Sequence, residues 1–213
     1  MKIENVSIYN LYPAIVAIRN ATRTWNKSDT KQVHFKCTKQ FNSYNHAVIG
    51  PTDKDLINKL LASSRSSGRA NYRKFLRQIL VTFDLTAPKS FWSVFDSYKI
   101  GVTTNNSNTM PVLKRVVAGI QKLEISHFEY KTNKESKSLS KLISELNSTK
   151  DINLITTLLP QSFLLRKSWS GSYENLLNIY HDQNKNKFYQ WKIIIKMIKN
   201  MPYMKDLLLP NGV

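Results

Sequence analysis

Between Phe91 and Met110 the chain reads FWSVFDSYKIGVTTNNSNTM, an apolar lead-in followed by a loop rich in Asn, Ser and Thr. A loop of this kind on a rigid frame is where binding groups concentrate. Yet its only ionisable side chains are Asp96, Tyr98 and Lys99. Amides and hydroxyls such as Asn105 and Ser107 can orient a ligand. A nucleotide phosphate in a partly desolvated pocket needs more, either fork donors or a concentrated positive field. The layout is that of a pocket, and the segment is poor in groups that do chemistry.

A second constellation is basic. Arg65, Arg69, Arg73 and Arg77 recur every four residues, with Lys74 adjacent and Tyr72 and Phe75 interleaved. On a continuous helix they would form one ridge about 18 Å long, suited to tracking phosphates. Gly68 and the neighbouring serines weaken the helix at its start, and a solvated face accounts for the spacing equally well. Metal chemistry finds no support. His34, His46, His127 and His181 lie far apart without ligand spacing, and no HExxH, CxxC or Walker-type pattern occurs. The single cysteine, Cys37, has no second thiol to pair with, which fits a reducing cytoplasm.

The 213 residues, 41% hydrophobic and 11% aromatic, are enough to bury a substantial core and are read most simply as one domain spanning 1–213. Lys and Arg number 32 against 14 Asp and Glu, a net charge of +18. Such a field favours a polyanionic partner, nucleic acid or an acidic protein surface, although abundant Lys and Asn could also follow from AT-rich coding. No apolar run reaches the ~18 residues of a membrane span, so a soluble, unexported protein without a membrane partner is expected.

The elements that must position these residues alternate without repeats. NVSIYNLY (5–12) and QVHFKCT (32–38) alternate as strands do. GPTDKDLINKLLASS opens a helix, with Thr52 as its cap, Asp53 and Asp55 in the first turn, and Leu56, Leu60 and Leu61 inward. SSRSSGRANYR reads as a polar joint and ILVTFDL (79–85) as a strand. Pro88 starts a helix burying Phe91, Trp92 and Phe95, and Pro111 another with Val112, Val116 and Ile120 inward. ISHFEYK reads as a short strand, and the segment from Asn133 as a surface helix with a thin stripe of Leu139, Leu142, Ile143 and Leu146. From Asp151 onward the reading is helical: about 151–159, about 172–182, and a final helix with Trp191, Ile194, Ile195 and Ile198 inward and Lys192, Lys196 and Lys199 outward.

The order of these segments resembles the flavin-dependent thymidylate synthases of the ThyX type and their divergent bacteriophage relatives. That family shows a D-x-x-L-I-x-x-L helix, an L-E-H step, an F-T-F strand, an A-P pair, R-H-R, and a loop of N-E-x-S-x-R-Y type. Here Leu76 falls on the Leu of L-E-H, Thr82 and Phe83 on the strand, and Ala87 and Pro88 on the A-P pair. Near the C-terminus Leu159-Pro160, Trp169, Leu176 and Gln190-Trp191 keep the family skeleton, and the match is thin between about 111 and 150. The resemblance implies an α+β fold with a central, mostly antiparallel sheet flanked by helices, a helical C-terminal part, and a homo-oligomer. It also implies FAD as cofactor if the enzyme activity is retained.

The departures fall on the family's charged positions. R-H-R becomes Ser97, Tyr98 and Lys99, and the loop Glu and Arg become Asn105 and Thr109 with only Ser107 kept. The Glu-His of L-E-H become Arg77 and Gln78. The R-S-L arginine becomes Glu174, and the substrate arginine of L-x-L-R becomes Gln183. The candidate ligand pocket is therefore Gln78, Tyr98, Lys99, Asn105, Ser107 and Gln183, carried over by resemblance, together with Arg166, which with Lys167 is the nearest candidate for a compensating cation; no residue is assigned a catalytic role. The expectation is a catalytically degenerate relative of phage type that binds nucleic acid or protein, with no cofactor. An unusual FAD-dependent synthase acting on dUMP, or an inhibitor of a host defence nuclease, are the alternatives.

Overall fold

A computed structural model describes residues 1–34 and 43–205. Cys37 and the second half of the QVHFKCT strand lie outside the described residues. Strands β1 (Lys2–Tyr9), β2 (Lys31–His34), β3 (Ser43–Val48), β4 (Leu80–Pro88), β5 (Thr103–Asn106) and β6 (Leu164–Ser172) form one sheet in the order β2-β3-β1-β4-β6-β5. The helices are α1 (Leu11–Ala17), α2 (Pro51–Ser67), α3 (Lys89–Phe95), α4 (Thr109–Val117), α5 (Asn133–Ser148), α6 (Ile152–Leu158), α7 (Tyr173–Gln183) and α8 (Tyr189–Lys199). The fold is α+β. β2 and β3 pair antiparallel, with Gln32 opposite Ala47, whereas β1 and β3 run parallel, with Ser7 opposite Ser43. No described helix is long and apolar enough to cross a membrane.

The chain divides into two compact units. The first comprises Met1–Ile3, Asp84–Ser97 and Thr104–Ser168. Its core packs Leu113, Val116, Phe128, Ile143, Leu146 and Phe163, and α5 contributes through the expected apolar stripe. Thr132 and Glu135 close a capping box that starts α5. Two expectations need correction here. α4 stops at Val117, leaving Ile120 75% exposed rather than inward. ISHFEYK forms a 3-10 turn at Ile125–His127, and of that segment only Phe128 makes a bridge, to Phe163. α3 buries Phe91, Trp92 and Phe95 as its pattern requires.

The second unit comprises Glu4–Phe83, Tyr98–Thr103 and Trp169–Val213. Strand β1 ends at Tyr9, and the residues read as its continuation begin α1 instead. α2 starts after an extended Gly50, and its cap comes from elsewhere in the chain. The Asp29 carboxylate accepts the Thr52 and Asp53 amides at 2.8 and 3.1 Å, so Thr52 is not the cap. Asp53 is fully buried and accepts from Arg19 Nε at 2.5 Å, from Ser28 Oγ at 2.6 Å and from Thr30 Oγ1 at 2.6 Å.

The largest correction concerns the segment before α7. Residues Leu164–Ser172 form a strand where the sequence reading placed only helices. Trp169 on it is buried and stacks on Phe83 of β4, ring centroids 4.9 Å apart. Gly171 is what admits this indole, because a Cβ there would lie 2.4 Å from Trp169 Cη2. Gly171→Ala is expected to destabilise the protein by about 1 to 3 kcal/mol through overpacking, read as a lower midpoint in urea. An unchanged midpoint would show that the Trp169 pocket has room to yield.

Candidate functional site

Within the second unit, the basic constellation is not a ridge. α2 ends at Ser67, Gly68 takes the left-handed conformation (φ 65°), and Arg69 is extended. A 3-10 segment, Ala70–Arg77, follows, broken by Arg73 at φ −112°. Arg65, Arg69, Arg73, Lys74 and Arg77 therefore share no single helical face, and an 18 Å ridge does not exist. The cause is local, since glycine at a helix C-terminus favours the turn that ends it.

Two of these arginines are occupied by α7. Glu174, buried near the start of that helix, is clamped by Arg77, which hydrogen-bonds its carboxylate, and by Arg73, whose Nε lies 3.0 Å from Oε1. The Arg73 contact is an ion pair without hydrogen-bond geometry, since that buried Nε finds no hydrogen-bond partner. The hydrogen bond and charge of Glu174 hold the Arg77 pKa above its ordinary value. One carboxylate facing two guanidiniums leaves a single positive charge, so Glu174 is not the bare repelling anion that its sequence position implies. Nearby, partial burial together with the charges of Arg73 and Arg65 holds His181 below the usual imidazole value.

Tyr98 and Gln183 meet directly. Gln183 Nε2 donates to Tyr98 Oη at 2.7 Å, Asn186 Nδ2 donates to Gln183 Oε1 at 2.7 Å, and the Tyr98 ring sits edge-on to Trp191. Burial pushes the Tyr98 phenol up and Asp182 adds to the shift, only partly opposed by the Gln183 hydrogen bond, so Tyr98 stays neutral and poorly suited to proton transfer near neutral pH. Gln78 and Lys99 are in this unit too and are exposed.

The remaining pocket residues lie in the first unit. Ser107 and Arg166 are held together by their backbones, Ser107 N–H donating to Arg166 O at 2.9 Å and Arg166 N–H donating to Ser107 Oγ at 3.1 Å. Asn105 is exposed on β5. The Arg166 guanidinium pairs with Asp84 at 2.7 Å, and Asp84 also accepts from Ser168. Lys167, the other compensating cation, is buried against Asp96 at 2.5 Å with its ammonium 4.4 Å over the Trp92 ring. Both cations neutralise carboxylates of their own unit. Among the described residues no cluster of His, Cys, Asp and Glu could hold a metal ion.

Sequence reasoning missed the roles of Asp84, Asp96 and Asp182, whose partners Arg166, Ser168, Lys167 and Tyr98 are all distant in the chain. It also missed a cavity of about 400 Å³ in the second unit, between the turn after α7 and the exposed side of α8. The signal was present in part, as the outward spacing of Lys192, Lys196 and Lys199.

No family model matches the sequence, and no curated protein matches it either. Solved structures do. A flavin-dependent thymidylate synthase ThyX from Helicobacter pylori, complexed with FAD and dUMP, superposes with a TM-score of 0.66 over 97% of this chain and 98% of that one at 15% identity. A second structure of ThyX from that organism, also with FAD and dUMP, gives 0.67 over 99% and 98% at the same identity. The chain therefore has a ThyX-like fold.

Proposed function

We propose that this chain keeps the ThyX fold without thymidylate synthesis and acts by binding nucleic acid through its phosphates. The observation that carries the reading is the Glu174 clamp. At a position where the resembling family has an arginine, this chain has a buried carboxylate, and Arg73 and Arg77 are spent on it. A flavin nucleotide and dUMP do not fit the residues present. At the three R-H-R positions, Ser97 Oγ donates back to Val94 O at 2.7 Å, Tyr98 is engaged by Gln183, and only Lys99 is cationic. The carboxylates Asp84 and Asp96 hold the two cations that were candidates for compensation. Binding contacts to charged groups contribute roughly 1.5 to 3 kcal/mol each, so losing several removes orders of magnitude in affinity. The charge of +18 supports a polyanionic partner.

The test is made on freshly purified protein. The expected result is no flavin absorbance band and no tritium release from 5-tritiated dUMP with added FAD and reduced nicotinamide cofactor. Binding to duplex and single-stranded oligonucleotides is expected to weaken steeply with salt. Tritium release that disappears in Arg166→Ala would establish a rebuilt synthase site and overturn the reading. Oligonucleotide binding that is absent at low salt would overturn its second half.

A further inference from the structure

We propose that the cavity against α8 is a phosphate-binding site, taking the backbone of a single nucleic acid strand or the phosphates of a free nucleotide. This deepens the nucleic-acid reading and rests on it for the strand, but not for the free nucleotide. The argument starts from the helix. α8 buries Trp191, Ile194, Ile195 and Ile198, which fixes its rotation and sets Lys192, Lys196 and Lys199 along its other side. At spacings of four and three residues they span about 10 Å. Lys205 and Asn184 complete the basic and amide wall, and no carboxylate lines the cavity among the described residues.

The helix itself does not require this arrangement. Lys196 and Lys199 in the last turn complement the negative end of the dipole, whereas Lys192 lies near the start, where a cation gains nothing from it. Four lysines line a cavity of about 400 Å³, their like charges disfavour one another, and a bound anion offsets that. The volume is that of a small-molecule site. Two lining residues are held by hydrogen bonds, Asn186 accepting from the Phe188 amide at 2.9 Å while donating to Gln183, and the Lys199 ammonium sits 5.6 Å from the Tyr180 ring centroid. Asn184 and Asn200 add amide donors beside the ammonium groups.

The experiment compares the wild type with Lys192→Gln/Lys196→Gln/Lys199→Gln. A control, Lys137→Gln/Lys141→Gln/Lys150→Gln, removes the same charge elsewhere. Thermal unfolding without ligand checks that all three fold. Anisotropy of a labelled oligothymidylate is read across salt concentrations, and the thermal shift given by inorganic tripolyphosphate is read separately. The expected result is a salt slope shallower by about 2 units in the α8 variant, from roughly 0.7 per lost contact on a single strand, with little change in the control. Tripolyphosphate is expected to stabilise the wild type and the control but not the α8 variant. If the wild type ignores the oligonucleotide yet tripolyphosphate still discriminates the variants, the site stands for the phosphates of a free small ligand and the nucleic-acid reading fails. Equal slopes and equal thermal shifts in both variants overturn the site, whatever the wild type binds.

Discussion

Asp53→Asn is expected to destabilise the fold by about 3 to 5 kcal/mol, because it leaves a buried guanidinium without its counter-ion. The Arg19 side chain is only 9% exposed and that of Asp53 fully buried. Ser28 Oγ and Thr30 N–H and Oγ1 all aim donors at the same carboxylate. An asparagine amide nitrogen must face one of these donors, so the loss exceeds that of a single hydrogen bond. Replacing both charged partners, as Arg19→Met/Asp53→Leu, removes the stranded charge and is expected to cost less than Asp53→Asn alone. The pH dependence has a definite sign. Burial pushes the Asp53 carboxyl up, but the Ser28, Thr30 and Arg19 hydrogen bonds and the Arg19 charge outweigh it, and the folded value lies below the ordinary one. The folded state then holds fewer protons than the unfolded state. Stability from this group is complete above the unfolded value of about 4 and is lost as pH falls through the lower folded value. Urea unfolding of wild type and Asp53→Asn across acidic pH checks both statements. A constant difference between the two curves down to the lowest pH would remove the carboxylate from the explanation.

What the sequence made legible follows from the range of the forces involved. α2, α3, α5 and α7 carry local signals, an apolar period with a capping box or a proline at the start, α8 carries the apolar period alone, and all five form where those signals lie. β6 was missed because LLRKSWSGS has neither clean alternation nor a β-branched run. It takes its place in the sheet between β4 and β5, and Trp169 on it stacks on Phe83, 86 positions earlier in the chain. The cap of α2 failed for the same reason, since Asp29 reaches it from 23 residues earlier while the hydroxyl of Thr52, the nearer candidate, accepts from Arg19 instead. The arginine ridge failed in the opposite way. Its four-residue period is real in the sequence, but Gly68 ends the helix that would have turned period into face. At the site, the losses of arginine were readable position by position. The uses to which Arg73, Arg77, Arg166 and Lys167 are put were not, because each is paired across long sequence separations.

The second large effect is expected from reversing the clamp. The L-E-H step of the resembling family has Glu where this chain has Arg77, and its R-S-L step has Arg where this chain has Glu174, so the two signs are exchanged. Glu174→Arg is expected to destabilise by about 3 kcal/mol, since it gathers three guanidiniums at a mostly buried point. Arg77→Glu is expected to cost less, about 1 to 2 kcal/mol, because the Arg77 side chain is 53% exposed and its pair is screened by water. The double variant Arg77→Glu/Glu174→Arg restores one opposite-sign pair in reversed order. It should recover about 2 kcal/mol relative to the sum of the singles, within the range seen for residues in direct contact. Recovery stays partial because Arg73 now faces a like charge. Urea midpoints of the four proteins give the coupling directly. A coupling near zero would mean that Arg77 and Glu174 are independent, and the exchange of signs would then lose its physical link to the missing arginine. If the coupling is found and tritium is still not released from 5-tritiated dUMP by the double variant, an arginine at this position alone does not rebuild the synthase, consistent with the further losses at Ser97, Thr109 and Gln183.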